Sequence, residues 1–278
     1  PDSLARNEQD QIRKNMQKII ETRETWQKNG KQAIVRGSRQ STGYPFAFSC
    51  DYEKFALGID RMRSDSLEYL LHGSWKGIEI PEDSALTYTE TINLVNKVRG
   101  YDLPDDVLKR LHGQIVIESA GEKKLISPKR AKGILQLKPV VLNSFGVPPA
   151  YHYHRIAQID CAMYYLKKGH NYMENKIERA LPNIEEGQRE ELIGWMTTQG
   201  YHAGNSRIGW LFNPKLETGQ AAKYVNEHAE EFEEFSGQDL ALFLIAHNFG
   251  RRGIADRTLT YGIDTQIAGD EIYDKLRH

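Results

Sequence analysis

Apolar residues recur at helical spacing in one segment after another of this chain, and most of these segments end close to a glycine. A spacing of three and four positions places side chains on one face of an α-helix, whereas a half-buried strand needs strict alternation. The segments with helical spacing are 104–119, 153–168, 183–199, 217–235 and 238–249. No alternating run is convincing enough to predict a sheet, although a small hairpin within 120–127 stays open. The pattern therefore predicts an all-α fold.

The first hundred residues follow a similar pattern. They predict a helix that ends near Gly30, a polar loop over 37–45, and short helices over 51–62 and 65–72. Thr87 and Glu90, three positions apart, predict a capping box for a helix that ends at Gly100. We interpret residues 1–100 as a helical N-terminal region of unknown role and residues 101–278 as a second domain.

Composition limits the class of protein. Hydrophobic residues make up 39% and charged residues 27% of the chain, which is typical of a folded globular protein. The net charge of −1 excludes a nucleic-acid binder held by its overall field, while a local basic patch stays open. No run approaches the roughly 20 apolar residues of a membrane-spanning helix. The chain begins at Pro1 without a signal-like segment, which predicts a processed product whose targeting signal is not present.

Three smaller features have an ordinary structural interpretation. Cys50 and Cys161 could form a disulfide, but their spacing has no metal or redox signature and favours two core thiols. The His152-Tyr153-His154 sequence lacks carboxylate or cysteine partners, so we predict no metal site and no cofactor. The acidic run at 227–234 is interpreted as the solvated face of a helix. Its buried face would carry Tyr224, Val225, His228, Phe232 and Phe235.

One carboxyl group lies at the end of an apolar helix face. Val107, Leu111 and Ile115 step by four along the predicted helix 104–119, and Glu118 follows three residues later on the same face. Burial disfavours the charged form of a carboxyl group, so we expect Glu118 to hold its proton to higher pH than a free glutamate. A protonated carboxyl group is what a glycosidic oxygen requires from a general acid. Glu118 is therefore a candidate catalytic acid.

The residues after Glu118 form a spaced motif. Ser119 follows directly, Ser127-Pro128 begins nine residues after Glu118, and Gly133-Ile134-Leu135-Gln136 ends the stretch. This resembles the signature of the soluble lytic transglycosylase family, in which Glu-Ser is followed at fixed distances by Ser-Pro and by Gly-apolar-apolar-Gln. The spacing matches without a gap. The residue types also suit a sugar site, because Gly133 permits close approach and Gln136 offers a donor and an acceptor to an N-acetyl group. Ser127 and Pro128 would start a new helical turn.

Two later segments are similar to the same family. Ile159 to Leu166 resembles its Ile-x-x-Gly-x-x-Tyr-Leu helix, with Ala162 in place of glycine. Residues 246–250 resemble its Ala-Tyr-Asn-Ala-Gly motif, with His247 in place of tyrosine and Phe249 in place of a small residue. The family tyrosine reaches toward the catalytic glutamate, although His247 could instead fill a tyrosine-sized space in the core. The resemblance implies substrate-binding roles for Ser119, Ser127, Gln136, Tyr165, His247 and Asn248.

The resemblance also implies a fold and an activity. It implies a lysozyme-like helical domain from about residue 101, with a helical insertion at 170–237. It implies non-hydrolytic cleavage of the β-1,4 bond between N-acetylmuramic acid and N-acetylglucosamine, with Glu118 acting as acid and then as base to leave a 1,6-anhydro end. The implied partner is the peptidoglycan glycan strand, not nucleic acid. The implied location is the periplasm, the cell envelope or a phage particle, with residues 1–100 or the insertion free to bind an envelope protein.

Two alternatives stay open. One is a hydrolytic muramidase on the same fold, because goose-type lysozymes share the glutamate. The other is a non-catalytic peptidoglycan-binding module of an envelope-spanning or phage assembly. The presence of Glu118 and Gln136 argues against a non-catalytic module, whereas the changes at His247 and Phe249 keep it open.

Overall fold

The computed structural model describes residues 69–119, 121–248, 254 and 256–273. The chain divides into two compact units. The Glu118 unit, as we name it, contains the described residues of 69–168 and 263–273. The second unit contains the described residues of 169–262. The predicted helix up to Gly30, the loop over 37–45, the helix over 51–62, Cys50 and Phe249 lie outside the described residues.

The Glu118 unit begins with a β-hairpin that the all-α prediction missed. Strands β1 (Gly73–Trp75) and β2 (Ile78–Ile80) pair antiparallel, with Trp75 opposite Ile78. Lys76 and Gly77 form the two-residue turn, and both have positive φ, as a type I′ turn requires. Residues 69–72, predicted as the end of a helix, instead form a turn and a bridge from Leu71 to Leu86. The described part of the chain is thus mostly helical with one two-stranded sheet.

Helix α1 (Tyr88–Arg99) has the ends that the sequence predicts. The Thr87 hydroxyl accepts from the Glu90 backbone N–H, and the Glu90 carboxylate accepts from the Thr87 N–H, which confirms the capping box. Gly100 ends the helix in the left-handed conformation with φ of 59°. Both signals depend on residues that are close in the sequence, so the sequence alone could predict the two ends of the helix.

Two further helices and parts of two others complete the described part of this unit. They are α2 (Asp105–Ser119), α3 (Pro139–Phe145), the first part of α4 (Arg155–Ala180) and the last part of α9 (Asp256–Tyr273). Short 3-10 turns lie at Glu82–Ser84 and Pro149–Tyr151. The predicted helix 104–119 is confirmed as α2, and the predicted helix 153–168 is part of the longer α4.

A buried carboxylate joins the hairpin, α1 and α4. Asp160 is 1% exposed and accepts hydrogen bonds from the Trp75 indole at 2.8 Å and from the Tyr101 hydroxyl at 2.7 Å. Arg99 forms an ion pair with the same carboxylate at 3.0 Å. Burial, and next the hydrogen bond to Asp160, raise the pKa of Tyr101 far above its ordinary value. A buried carboxylate is stable only when it is paired and hydrogen-bonded, so this network fixes the hairpin against α4.

The same network connects residues 69–100 to α4. The sequence predicted a domain boundary at residue 100, whereas residues 69–100 belong to the same compact unit as α2. The reason is that Trp75 and Arg99 both bind Asp160. Cys161, next to Asp160, is a buried free thiol, and burial raises its pKa to about 12.

The second unit contains the rest of α4 and the start of α9, together with four helices: α5 (Glu186–Ala203), α6 (Asn205–Gly209), α7 (Gln220–Glu227) and α8 (Gly237–His247). Every residue of 192–200 in α5 is buried, so this stretch is surrounded on all sides. Short 3-10 turns lie at Trp210–Phe212, Glu217–Gly219 and Ala229–Phe232.

The predicted single helix over 217–235 is wrong. It divides into α7 and two 3-10 turns, because His228 leaves the helical conformation with φ of −130° and ψ of 44°. Every glutamate of 227–234 is exposed, as predicted. Of the five residues predicted for the buried face, Val225 and Phe232 are buried, whereas Tyr224, His228 and Phe235 are half-buried. The predicted insertion at 170–237 lies wholly within this unit, which extends to Gly262. No helix among the described residues is long and apolar enough to cross a membrane.

Candidate functional site

Glu118 lies in the last turn of α2, at the end of the apolar face that the sequence predicts. Val107, Leu111 and Ile115 are each at most 1% exposed, whereas Glu118 is partly exposed. Asp105 and Asp106 occupy the first turn, where the positive end of the helix dipole favours acidic side chains. The helix therefore anchors a carboxyl group at the boundary between the core and solvent.

Ser119 connects the end of α2 to the motif that follows. Its side chain is buried and its hydroxyl lies 2.8 Å from the Ile134 carbonyl oxygen and 3.0 Å from that of Ile115. The same hydroxyl oxygen accepts from the Gly121 N–H at 3.1 Å, where φ of 74° turns the chain away from the helix. These bonds hold residue 134 of the motif beside the residue that follows Glu118.

The stretch 121–137 folds as a loop of tight turns. Lys132 forms isolated antiparallel bridges with Ile126 and with Leu137. Ser127 closes a turn, because its hydroxyl accepts from the Ala131 N–H at 3.0 Å and its carbonyl accepts from the Arg130 N–H at 2.8 Å. This turn is not helical, in contrast to the helical turn predicted at Ser127 and Pro128. The backbone N–H of Ser127 bonds back to the Ala131 carbonyl, which makes the turn hairpin-like.

Gln158, on α4, supports the loop 121–137. It is not among the residues that the sequence predicted for the site. Its side chain has no exposed surface. The Gln158 amide donates to the Lys132 carbonyl at 3.0 Å and the His152 carbonyl at 2.6 Å, and it accepts from the Leu135 N–H at 3.0 Å. A Cβ at Gly133 would overlap this amide, and Gly133 also has φ of 73°. Gly133 is thus required by the packing of Gln158 as well as by its own conformation.

Gln136 lies in the same loop with a partly exposed side chain and φ of 48°. Its amide nitrogen donates to the Gly133 carbonyl at 2.9 Å and the Leu125 carbonyl at 3.3 Å. Among the described residues its amide oxygen accepts no hydrogen bond. The nitrogen is therefore used to fix the side chain, and the oxygen is left as an acceptor for a ligand.

Tyr165 lies on α4, in the same unit as the loop. Its hydroxyl is 2.7 Å from that of Ser144 at the end of α3, and its ring contacts Tyr164 edge-on at 5.3 Å. The Glu118 unit thus contains Glu118, Ser119, Ser127, Gln136 and Tyr165.

His247 and Asn248 belong to the second unit. His247 is the last residue of α8, and its ring stacks with Phe243 at 6.4 Å. Asn248 has no exposed surface, and its amide nitrogen donates to the Leu244 carbonyl at 2.8 Å. Asn248 therefore closes the C-terminal end of α8, a structural role that its sequence position alone does not indicate.

The His-x-His sequence lies just before α4. His152 is buried between Asn143, 2.9 Å from one ring nitrogen, and Lys132, 3.4 Å from the other. Burial, and next the charge of Lys132, lower the pKa of His152. His154 accepts from the Ala157 N–H at the start of α4. Among the described residues no group of three histidine, cysteine, aspartate or glutamate side chains is arranged to hold a metal ion.

Comparison with protein-family models, with curated proteins and with solved structures finds no match to this chain in any of the three. The interpretation of the site therefore depends on its residues and their geometry.

Proposed function

We propose that the protein is a lytic transglycosylase that cleaves the β-1,4 bond between N-acetylmuramic acid and N-acetylglucosamine in peptidoglycan. Glu118 protonates the glycosidic oxygen of the leaving sugar. As a carboxylate it then removes the proton from the C6 hydroxyl of the muramoyl residue, whose oxygen bonds to C1 and leaves a 1,6-anhydro end. One residue acts in turn as acid and base. The lysozyme-like fold belongs to this proposal, as does a place in the periplasm, the cell envelope or a phage particle.

The observation that carries the proposal is the bond between Ser119 and Ile134. It brings the Gly-Ile-Leu-Gln part of the motif back to the end of α2, next to a partly exposed Glu118. Two motif positions that are 15 apart in the sequence are thereby joined at the residue that follows Glu118. The amide oxygen of Gln136, which accepts no hydrogen bond from the described residues, suits the N–H of an N-acetyl sugar.

The motif from Glu118 to Gln136 contains one other carboxyl residue, Glu122, which is not one of the positions that define it, and this supports the anhydro route over the two-carboxylate scheme of most glycosidases. Asp264 is in the same unit, and burial raises its pKa well above the ordinary value. Its side chain has no exposed surface, so it cannot contact a glycan strand. Glu122, four residues after Glu118, is exposed.

The test is Glu118→Gln, which keeps the shape of the side chain and removes the acid. We expect the rate of digestion of purified peptidoglycan to fall at least ~100-fold, the low end for general acid catalysis. Glu122→Gln, the same chemical change at an exposed position nearby, is the matched control and should keep the wild-type rate. Full activity in a folded Glu118→Gln protein would exclude the proposed role.

Mass spectrometry of the products then separates the two enzymatic routes. Fragments that end in 1,6-anhydro-muramoyl groups support the transglycosylase, whereas reducing ends indicate a hydrolytic muramidase. If wild-type protein causes no loss of turbidity in a cell-wall suspension but sediments with it, the chain is a binding module instead.

A further inference from the structure

Positive charge is concentrated in one part of the Glu118 unit. Residues 123–168 contain nine lysines and arginines and one acidic residue, Asp160, although the whole chain has a net charge of −1. Asp160 is buried and bound by Arg99, Trp75 and Tyr101, so it offers no negative charge at the surface. The surface of this segment is therefore cationic, even though the composition of the whole chain conceals it.

Two exposed lysines in this unit lie against aromatic rings. The ammonium of Lys76, in the hairpin turn, is 4.8 Å from the ring centre of Trp75 and 5.0 Å from that of Phe145. The Phe145 ring lies 5.1 Å from Tyr164, and the ammonium of Lys168 is 4.6 Å from the Tyr164 ring. We name Lys76, Phe145, Tyr164 and Lys168 the lysine–aromatic strip. It joins the hairpin, the end of α3 and one face of α4.

The two lysines of the strip make no ion pair with any residue that the structure describes. Within the described part of the chain neither Lys76 nor Lys168 forms an ion pair with a carboxylate. Contact with a ring restricts each ammonium, so less side-chain freedom is lost when an anion binds. A restricted cation beside a partly exposed ring is suited to a ligand that presents carboxylates beside apolar ring faces.

We propose that the lysine–aromatic strip binds the carboxylates of the stem peptides on a peptidoglycan strand while Glu118 acts on the glycan; this inference rests on the proposed function. A peptidoglycan strand bound at Glu118 itself presents such carboxylates, so the same strand can supply the anion, and a DNA duplex is one of the outcomes of the test below. The rings of the strip are only partly exposed and lie under lysines, which argues against insertion into a lipid bilayer.

The test uses the full chain carrying Glu118→Gln, so that the glycan is not consumed. Binding to purified cell-wall sacculi is measured by sedimentation at low salt, with intact sacculi and with sacculi whose stem-peptide carboxylates have been converted to amides by a carbodiimide and ammonia. The amidated sacculi keep their cross-links and lose their negative charge, and we call them denuded. The strip variant is Lys76→Gln with Lys168→Gln. The matched control is Lys97→Gln with Lys223→Gln, which removes the same charge from two exposed lysines away from the rings.

We expect tighter binding to intact than to denuded sacculi, and we expect the strip variant to lose this preference with about fivefold weaker binding to intact sacculi. The control should behave as the parent protein. The preference should also shrink as salt is raised, because exposed charges are screened. Thermal unfolding of each variant checks that the fold is retained.

The outcomes separate the strip from the proposed function. Equal binding of strip variant and control to intact sacculi overturns the strip while leaving cleavage by Glu118 in place. Equal binding of the parent protein to intact and denuded sacculi also overturns the strip while leaving cleavage by Glu118 in place. A strip variant that loses binding to a DNA duplex or to anionic lipid vesicles, but not to sacculi, assigns the strip to another ligand. Wild-type protein that neither cleaves nor sediments with sacculi overturns both proposals.

Discussion

The middle and the last turn of helix α2 differ in what they contact. Over 109–113, α2 packs backbone to backbone against α9, where Gly113 faces the Thr265 carbonyl and Gly269 faces the Lys109 carbonyl. Its last turn instead carries Glu118 and makes its contacts through the Ser119 hydroxyl to the loop 121–137. The first region has no space for an added atom, whereas the second has a partly exposed carboxyl group.

The difference teaches how one helix can be both a scaffold and a site. Close-packed backbone fixes the position of α2, so the carboxyl group at its end is held still. We therefore expect substitutions in the first region to change stability and substitutions in the last turn to change activity. The Glu118→Gln protein should accordingly unfold at the same denaturant concentration as the wild type, within about 0.5 kcal/mol.

Gly113→Ala should have the largest effect on stability. The added Cβ would overlap the Thr265 carbonyl oxygen and lies 2.9 Å from the Gly269 backbone nitrogen. Backbone cannot move aside as a side chain can, so we expect a loss of about 3 kcal/mol, the upper end for overpacking. Gly187→Ala is the control, because it is also helical but nothing lies within 4 Å of the added atom. Urea unfolding should show Gly187→Ala unchanged or up to about 1 kcal/mol more stable.

Equal stabilities of the two alanine variants would contradict the close packing of α2 on α9. A destabilised Gly113→Ala protein whose remaining folded fraction still cleaves peptidoglycan at the wild-type rate would sharpen the comparison. It would show that the first region supports the fold and leaves the chemistry to the last turn.

Local signals were the ones that could be predicted from the sequence. The capping box at Thr87 and Glu90, the end at Gly100 and the apolar face below Glu118 all depend on residues within a few turns of each other. The Lys76-Gly77 turn was also local, and its glycine between Trp75 and Ile78 could have indicated the hairpin.

The other features depend on distant partners. Asp160 finds Arg99 and Trp75 at separations of 61 and 85 positions. Gln158 reaches the Lys132 carbonyl 26 positions away. No spacing rule connects such residues, so neither could be recognised as a support of the site. The motif supplied candidate residues near Glu118, and the fold shows that Ser119 and Gln158 hold the loop in place.

Another prediction concerns two buried titratable groups, one on each of the two helices that form the first region. Burial lowers the pKa of His112, on α2, to about 3. Burial raises the pKa of Asp264, on α9, well above its ordinary value. The unfolded chain binds a proton at His112 as pH falls below about 6.5, so this group lowers stability toward acid pH. The unfolded chain loses a proton from Asp264 above about pH 4, so that group lowers stability as pH rises.

Asp264→Asn should therefore change the slope of stability against pH. Removing the carboxyl group leaves the effect of His112, so stability should rise with pH between about 4 and 6.5 more steeply than in the wild type. Because one carboxyl group binds at most one proton, the slope of stability against pH can change by at most about 1.4 kcal/mol per pH unit. Asp270→Asn, the same chemical change at an exposed position of the same helix, is the control and should change the slope less than Asp264→Asn does. Parallel slopes for Asp264→Asn and wild type in urea titrations would refute the neutral, buried Asp264.

The smallest effect is expected at Gln136, in the loop 121–137 that contacts the last turn of α2. Gln136→Ala removes both the amide that donates to the Leu125 and Gly133 carbonyls and the oxygen that we assign to the substrate. Gln220→Ala is the matched control, because the Gln220 amide also donates to two backbone carbonyls, those of Pro214 and Leu216. Both variants should lose a similar stability, about 1 kcal/mol.

Kinetics then distinguish a ligand contact from a structural one. If the oxygen of Gln136 binds an N-acetyl group, Gln136→Ala should raise KM for soluble glycan fragments about fivefold, equivalent to about 1 kcal/mol, with little change in kcat. Gln220→Ala should leave both constants unchanged. A fall in kcat alone would indicate that Gln136 acts on the transition state. Unchanged kinetics in both variants would show that Gln136, like Gln220, only supports the local backbone. The loop 121–137 would then provide no recognised contact to the sugar, and Glu118 would be the remaining candidate residue.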